Sequence, residues 1–293
     1  WPGVRGIVRV INFGKFASGI YFFGQLGKGA PEMIIGRAQD MVGVALFSRG
    51  SGLVELFNRT VLRAVMPVCM PYFAQHNRQT GSMISGYLMS VSYLTAIGWP
   101  FLAFMGIVAY AAIRIVYGSQ WMASVPLAQI LCAAGAIELI HYLAKEALIA
   151  GGDVKRSNLL QIVIQGGRIA GLFAVIPFGL IGACWGLFAA AVFGTACSQW
   201  SLSRTIGLRT RDVVAHCLPS FYIAAVSTAP VAFWVAVEGI SEDNFLRFAF
   251  GGGTLTVTMW LLALRLFRHP LWKEGGDLTK KLITKYRLRH SGN

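Results

Sequence analysis

Eight apolar runs follow one another along this 293-residue chain, joined by links of about four to twelve residues. They extend approximately from Val10 to Ile35, Val42 to Phe73, Met83 to Val116, Met122 to Ala150, Ser157 to Pro177, Ile181 to Ser203, His216 to Val237 and Phe245 to Phe267. A helix needs about 20 apolar residues to cross a hydrocarbon layer, and several of these runs exceed that, which predicts tilt or extension beyond the lipid. Hydrophobic residues make up 55% of the chain and charged ones 13%, at a mean hydropathy of +0.59. So many apolar residues cannot all hide in one soluble core. The expected fold is therefore all-α: an integral membrane helical bundle of about eight transmembrane helices over residues 10–268. A cytoplasmic amphipathic linker, 1–9, precedes it, and a basic cytoplasmic tail, 269–293, follows. Trp99-Pro100 predicts a bend in the third run.

The short links leave no room for a soluble catalytic or nucleotide-binding domain. No Walker-type glycine loop or Gly-x-Ser-x-Gly elbow is present. The five cysteines, Cys69, Cys132, Cys184, Cys197 and Cys217, stand singly in or beside apolar runs and read as small core residues. No metal and no cofactor is expected. The net charge of +14 raises a nucleic-acid reading, but the basic residues lie in short links and inside apolar runs, without aromatic stacking platforms. Anionic lipid or an anionic substrate is the expected partner, not nucleic acid.

Orientation follows from the positive-inside rule. Arg5, Arg9, Lys15, Arg78, Lys155, Arg156, Arg204, Arg209, Arg211 and the cluster from Arg265 to Arg289 fall on one side, predicting that both ends of the chain face the cytosol. The opposite links hold Arg37, Arg114 and Arg247 with the acidic group Glu238, Glu242 and Asp243. From Leu278 to Arg289, Leu278, Leu282, Ile283 and Tyr286 share one face among basic residues, as in a helix lying on anionic headgroups or a solvated tail. The opening stretch, Trp1 to Val10, has no signal-peptide pattern, and the chain is expected to be part of a longer protein.

Charges inside apolar runs are costly, rare and usually face a bundle interior or a watery path. In the first run Ser18, Tyr21, Gln25, Lys28 and Glu32 recur at intervals of three and four, on one helix face. Glu55, Arg59 and Arg63 are four apart in the second, with Arg49 about 80° round the helix. The fourth carries Glu138, His141 and Lys145, and the fifth Asn158, Gln161, Gln165 and Arg168. Each of four helices thus offers one polar stripe. Internal ion pairs, Glu55 with Arg59 and Glu138 with Lys145 through His141, are one reading, and snorkelling of Lys145 to the interface is another. His141 also fits a satisfied core histidine. Against a purely structural role stands the sign: Lys28, Arg49, Arg59, Arg63 and Arg168 outnumber the nearby acids Glu32 and Glu55. Unpaired buried charge is expensive, so such a surplus points to an external anion. Arginine suits phosphate because its planar fork donates two parallel hydrogen bonds.

Glu32-Met-Ile-Ile-Gly-Arg37, Phe47-Ser-Arg49 and the stretch from Leu53 to Pro71 resemble the seventh and eighth helices of the polysaccharide biosynthesis, or Wzx-type oligosaccharide flippase, family. Tyr117-Gly-Ser-Gln-Trp121, Pro126-Leu-Ala-Gln129, Ala150-Gly-Gly152 and Phe178-Gly-Leu-Ile-Gly182 add to the likeness. Where many members carry Asp, this chain has Glu32. The resemblance implies the multidrug/oligosaccharidyl-lipid/polysaccharide exporter fold of twelve to fourteen helices, of which this chain is the C-terminal part. It implies a bacterial cytoplasmic (inner) membrane transporter, not an enzyme, that moves undecaprenyl-diphosphate-linked glycan units outward by alternating access. The missing N-terminal helices of the same protein would be a partner. Lys28, Arg49, Arg59, Arg63 and Arg168 are then the expected headgroup ligands, supported by Gln25, Glu32, Glu55, Glu138, His141, Lys145, Gln161 and Gln165. A cation-coupled multidrug exporter of the same superfamily and a non-transporting fragment are the alternatives.

Overall fold

The computed structural model describes residues 29–63 and 83–272, with the isolated glycines Gly24 and Gly27 ahead of them. Among these residues there is no strand. A helical segment over 29–38 leads to α1 (Met41–Phe57), which runs on through a wider π turn, Asn58–Leu62. Then follow α2 (Ile84–Ile107), α3 (Ala109–Tyr117), α4 (Val125–Glu138), α5 (Ala144–Ala150), α6 (Val154–Val175), α7 (Gly179–Ile206), α8 (Thr210–Glu238) and α9 (Gly252–Leu266). Residues 273–293 of the basic tail, the first-run positions Gln25 and Lys28, and the end of the second run lie outside the described residues. Local chemistry sets the helix ends. Asp40 caps α1 by accepting from the Gly43 amide at 2.6 Å, and Asp153 caps α6 by accepting from Arg156 N at 3.0 Å. Gly207 ends α7 at φ +73°, a left-handed position that favours glycine.

Five segments of the described residues are long and apolar enough to cross a membrane: Ile84–Ile107, Ser119–Ala150, Val154–Ile206, Thr210–Glu238 and Arg247–Leu266. The third of these folds back at a 3₁₀ turn, Ile176–Phe178, into α6 and α7. Gly186 packs on the Gly171 carbonyl and Val175 while Gly194 packs on Ile164, so the two legs run antiparallel. The expected count of eight includes the first run, of which only the last part is described. The bend predicted at Trp99-Pro100 is instead a break at Val108, between α2 and α3. Pro100 sits inside a continuous helix because a neighbour compensates for it. A proline cannot bond the carbonyl four residues back, and Trp260 Nε1 of α9 donates to that Ala96 carbonyl at 2.8 Å.

The bundle core gathers Phe57, Leu62, Tyr87, Leu102, Leu139, Leu143 and Leu148 from α1, α2 and the α4–α5 segment. Outside it is equally apolar: Phe173, Trp185, Trp200, Phe233 and Phe250 are exposed around the bundle. Water does not tolerate so much contiguous apolar surface, and lipid covers it. Chain direction alternates from span to span, so Lys155, Arg156, Arg204, Arg209, Arg211, Arg265 and Arg268 gather at one end with Asp153 and Asp212. The other end holds Arg37, Asp40, Arg114, Glu238, Glu242, Asp243 and Arg247. There Arg114 pairs with Glu242 at 3.2 Å and Arg247 with Glu238 at 3.1 Å.

Candidate functional site

Between α4 and α5 the helix tightens into a 3₁₀ turn, Leu139–His141, so the fourth run is not the single regular helix its composition predicts. Such turns within a span mark hinges and functional positions. Backbone carbonyls at the turn find partners on neighbouring helices: Trp99 Nε1 donates to Ala136 O at 2.8 Å and Thr195 Oγ1 to Ile137 O at 3.2 Å. The turn directs Glu138, His141, Tyr142, Lys145 and Glu146 toward α6 and α7. A cavity of about 330 Å³ lies between them, closed by Gln161, Gln165 and Arg168 of α6 and by Thr195 and Ser198 of α7. Gly24 also borders it, and Gly27 lies directly against the Gln165 side chain.

Two carboxylates and two cations share this wall. Lys145 Nζ is 3.2 Å from Glu146 Oε1, and Arg168 Nη1 is 3.9 Å from Glu138 Oε1. The ion pair expected between Glu138 and Lys145 through His141 is therefore replaced by two others. The 3₁₀ turn breaks the regular stacking that the expectation assumed, and Glu146 is the nearer acid. His141 is buried, with Nδ1 2.8 Å from the hydroxyl of fully buried Tyr87. Three buried polar atoms of the wall have no protein partner among the described residues: Glu146 Oε2, Gln165 Oε1 and Arg168 Nε.

A second polar region adjoins the cavity on α1. Arg59 Nε bonds Glu55 Oε1 at 2.9 Å, and Asn58 Nδ2 donates to Glu55 Oε2 at 3.3 Å. Although this stripe lies on a helix packed into an apolar bundle, the Arg59 side chain is 65% exposed and Arg63 is exposed too. The π turn carries both Asn58 and Arg59, and π turns inside α-helices recur at functional sites. Phe57 of the same helix packs in one core cluster with Leu139 and Leu143 of the α4–α5 segment, and Gly98 lies against both Phe57 and Leu139, which sets this part of α1 next to the 3₁₀ turn.

Of the sequence-predicted residues, the structure brings Glu138, His141, Lys145, Gln161, Gln165 and Arg168 to one cavity and places Glu55, Arg59 and Arg63 beside it. Arg49 stands apart, toward the other end, with its guanidinium 5.1 Å from the Tyr117 ring centre and 4.9 Å from that of Trp121. Glu32 is exposed on the 29–38 segment. Sequence reasoning misses Glu146, Tyr87, Tyr142, Thr195 and Ser198. Glu146 carries a usable signal, an acid inside an apolar run; the hydroxyl residues carry none, since Ser and Thr are scattered throughout.

Residues 3–126 match the family described as polysaccharide biosynthesis protein. The teichuronic acid biosynthesis protein TuaB of Bacillus subtilis is 23% identical over 246 residues, covering 83% of this chain and 50% of that protein. The lipopolysaccharide biosynthesis protein WzxC of Escherichia coli is 22% identical over 303 residues, covering 92% of this chain and 60% of that protein. The chain is thus similar to polysaccharide biosynthesis proteins, WzxC among them. A membrane protein from the cps region of Klebsiella pneumoniae is 25% identical over 201 residues, 66% of this chain and 39% of that protein. No solved structure matches. The chain spans about half the length of the curated relatives it matches. Its apolar helices and these relatives make it a multi-pass bacterial membrane protein.

Proposed function

We propose that this protein, in its full-length form, is a flippase for undecaprenyl-diphosphate-linked glycan units, supplying exopolysaccharide, capsule or O-antigen synthesis. One observation carries the reading: Arg59 and Arg63 lie exposed beside a polar cavity, on a helix of an otherwise apolar bundle. Charge at that depth is disfavoured by lipid and favoured by an anion or a second set of helices. A lipid diphosphate cannot cross hydrocarbon bare, and guanidinium groups can replace part of its hydration. The N-terminal helices of the same protein would close the α1 stripe from the other side, and alternating access would rock the two bundles about it. With the basic end of the bundle in the cytosol, the anion leaves a negative interior, worth about 2.3 kcal/mol per charge per 100 mV. The names of the relatives, teichuronic acid and lipopolysaccharide biosynthesis proteins, support a glycan cargo.

The test reverses the charges in the full-length protein. Arg59→Glu with Arg63→Glu places two further acids beside Glu55, and surface glycan is expected to fall at least ten-fold at unchanged protein level. Unchanged export at normal abundance refutes the assignment.

A further inference from the structure

We infer that the cavity among α4, α5, α6 and α7 receives an uncharged, polyhydroxylated sugar rather than the diphosphate; this rests on the transport reading above. Charge is the first reason. The described wall carries two acids and two bases, and each base already has a carboxylate within 4 Å. A diphosphate drawn toward Lys145 or Arg168 would also approach Glu146 and Glu138, and in a low-dielectric site that repulsion offsets the attraction.

Hydrogen-bond chemistry is the second reason. Glu146, with its side chain 5% exposed, leaves Oε2 without a protein partner, and Gln165 Oε1 is in the same position. Both atoms accept and so require donors. An ionised diphosphate has no hydrogen to give. A sugar hydroxyl donates to such an oxygen and also accepts, which satisfies the third unpartnered atom, Arg168 Nε. Gln161, Tyr142 and Ser198 complete a lining that donates and accepts equally well. The volume, about 330 Å³, is at the lower end of small-molecule pockets, roughly 300–1,000 Å³. It suits the scale of a monosaccharide. The geometry thus divides the cargo: phosphates at exposed Arg63, which has no carboxylate within 4 Å among the described residues, and sugar at the charge-balanced described wall of the cavity.

The experiment titrates the full-length protein in nanodiscs with two probes, a polyprenyl diphosphate and the same lipid bearing one hexose. Wild type is expected to bind the glycosylated lipid about ten-fold tighter, the size of one to two neutral hydrogen bonds. Gln161→Leu and Gln165→Leu are each expected to remove most of that increment while leaving the bare diphosphate within about two-fold. That retained binding shows that each variant folds. Arg59→Glu is expected to do the reverse, weakening both lipids by a similar factor. If sugar adds nothing in wild type, or if the leucine variants weaken both lipids equally, the cavity assignment falls and the transport reading stands. If neither lipid binds wild type, both fall.

Discussion

Pro100 and Trp260 allow a sharp test of how the bundle tolerates a proline in mid-span. In a regular helix the amide of residue 100 would bond the carbonyl of Ala96; Pro100 has no amide hydrogen, and the indole of Trp260 substitutes for it across the α2–α9 contact at 2.8 Å. Ala96 is fully buried, so its carbonyl has no water to fall back on. Trp260→Phe keeps most of the ring and deletes the donor. Leaving a buried acceptor unsatisfied costs about 1–3 kcal/mol, although interhelical bonds in membranes average nearer 0.6 kcal/mol; about 1 kcal/mol is the expected loss. Pro100→Ala restores the intrahelical donor, and in that background Trp260→Phe should cost only the small packing change. The two substitutions are therefore non-additive, with a coupling of about 1 kcal/mol. Reversible unfolding in mixed micelles, run on wild type, both single variants and the double variant, measures it. A coupling indistinguishable from zero would refute the view that Trp260 compensates for the proline.

Two further expectations concern stability. His269, past the end of α9, is 2% exposed, with Nε2 2.9 Å from Ser92 Oγ and Nδ1 accepting from the Leu271 amide at 3.3 Å; burial holds its pKa below the usual 6.5. The unfolded chain takes up the proton first, so stability is complete above about pH 6.5 and declines as pH falls below it. Melting curves at successively lower pH should show the decline, and His269→Gln should flatten it; parallel curves would contradict the assignment. A methyl at Gly98 would overlap Leu139 and Phe57, whereas one at Gly166 meets nothing within 4 Å. Gly98→Ala should therefore destabilise by about 1 kcal/mol or more while Gly166→Ala is neutral or gains up to about 1 kcal/mol of helix propensity. Equal melting temperatures for the two variants would count against this packing.

Helices were the legible part of this chain because their signal is long and local. Runs such as Phe245 to Phe267 and Ile181 to Ser203 reappear as α9 with the π turn Arg247–Gly251 ahead of it and as α7, with ends displaced by one to three residues. Interruptions inside the runs were harder to read. Pro100 predicts a bend that Trp260 makes unnecessary, and nothing in the composition marks the break at Val108 or the π turn at Asn58–Leu62. The polar stripes show the same division. Spacing groups Glu138, His141 and Lys145 on one run and Gln161, Gln165 and Arg168 on another, and all six line the cavity, but spacing assumes an unbroken helix and does not name the neighbour that a face meets. Pairing of acids with bases is therefore decided by tertiary contact. Arg168 meets Glu138 across two helices, and Lys145 meets Glu146 beside it.

The hydrogen bond that Ser220 Oγ donates to the Ser92 carbonyl joins residues 128 apart in sequence, and His269 reaches Ser92 from 177 residues away. Ribosomes add roughly 5–20 residues per second, so α2 enters the membrane about 6–26 s before its α8 neighbour exists and about 9–35 s before His269 does. During that interval Ser92 and Thr95 lack the cover that later segments supply, while Tyr87, 54 residues ahead of His141, waits about 3–11 s for its partner. Thr95 bridges the wait within its own helix, bonding Val91 O at 2.8 Å. Ser92 and Tyr87 depend on later segments, so α2 is where a membrane chaperone or insertase has most to shield while the bundle is being made.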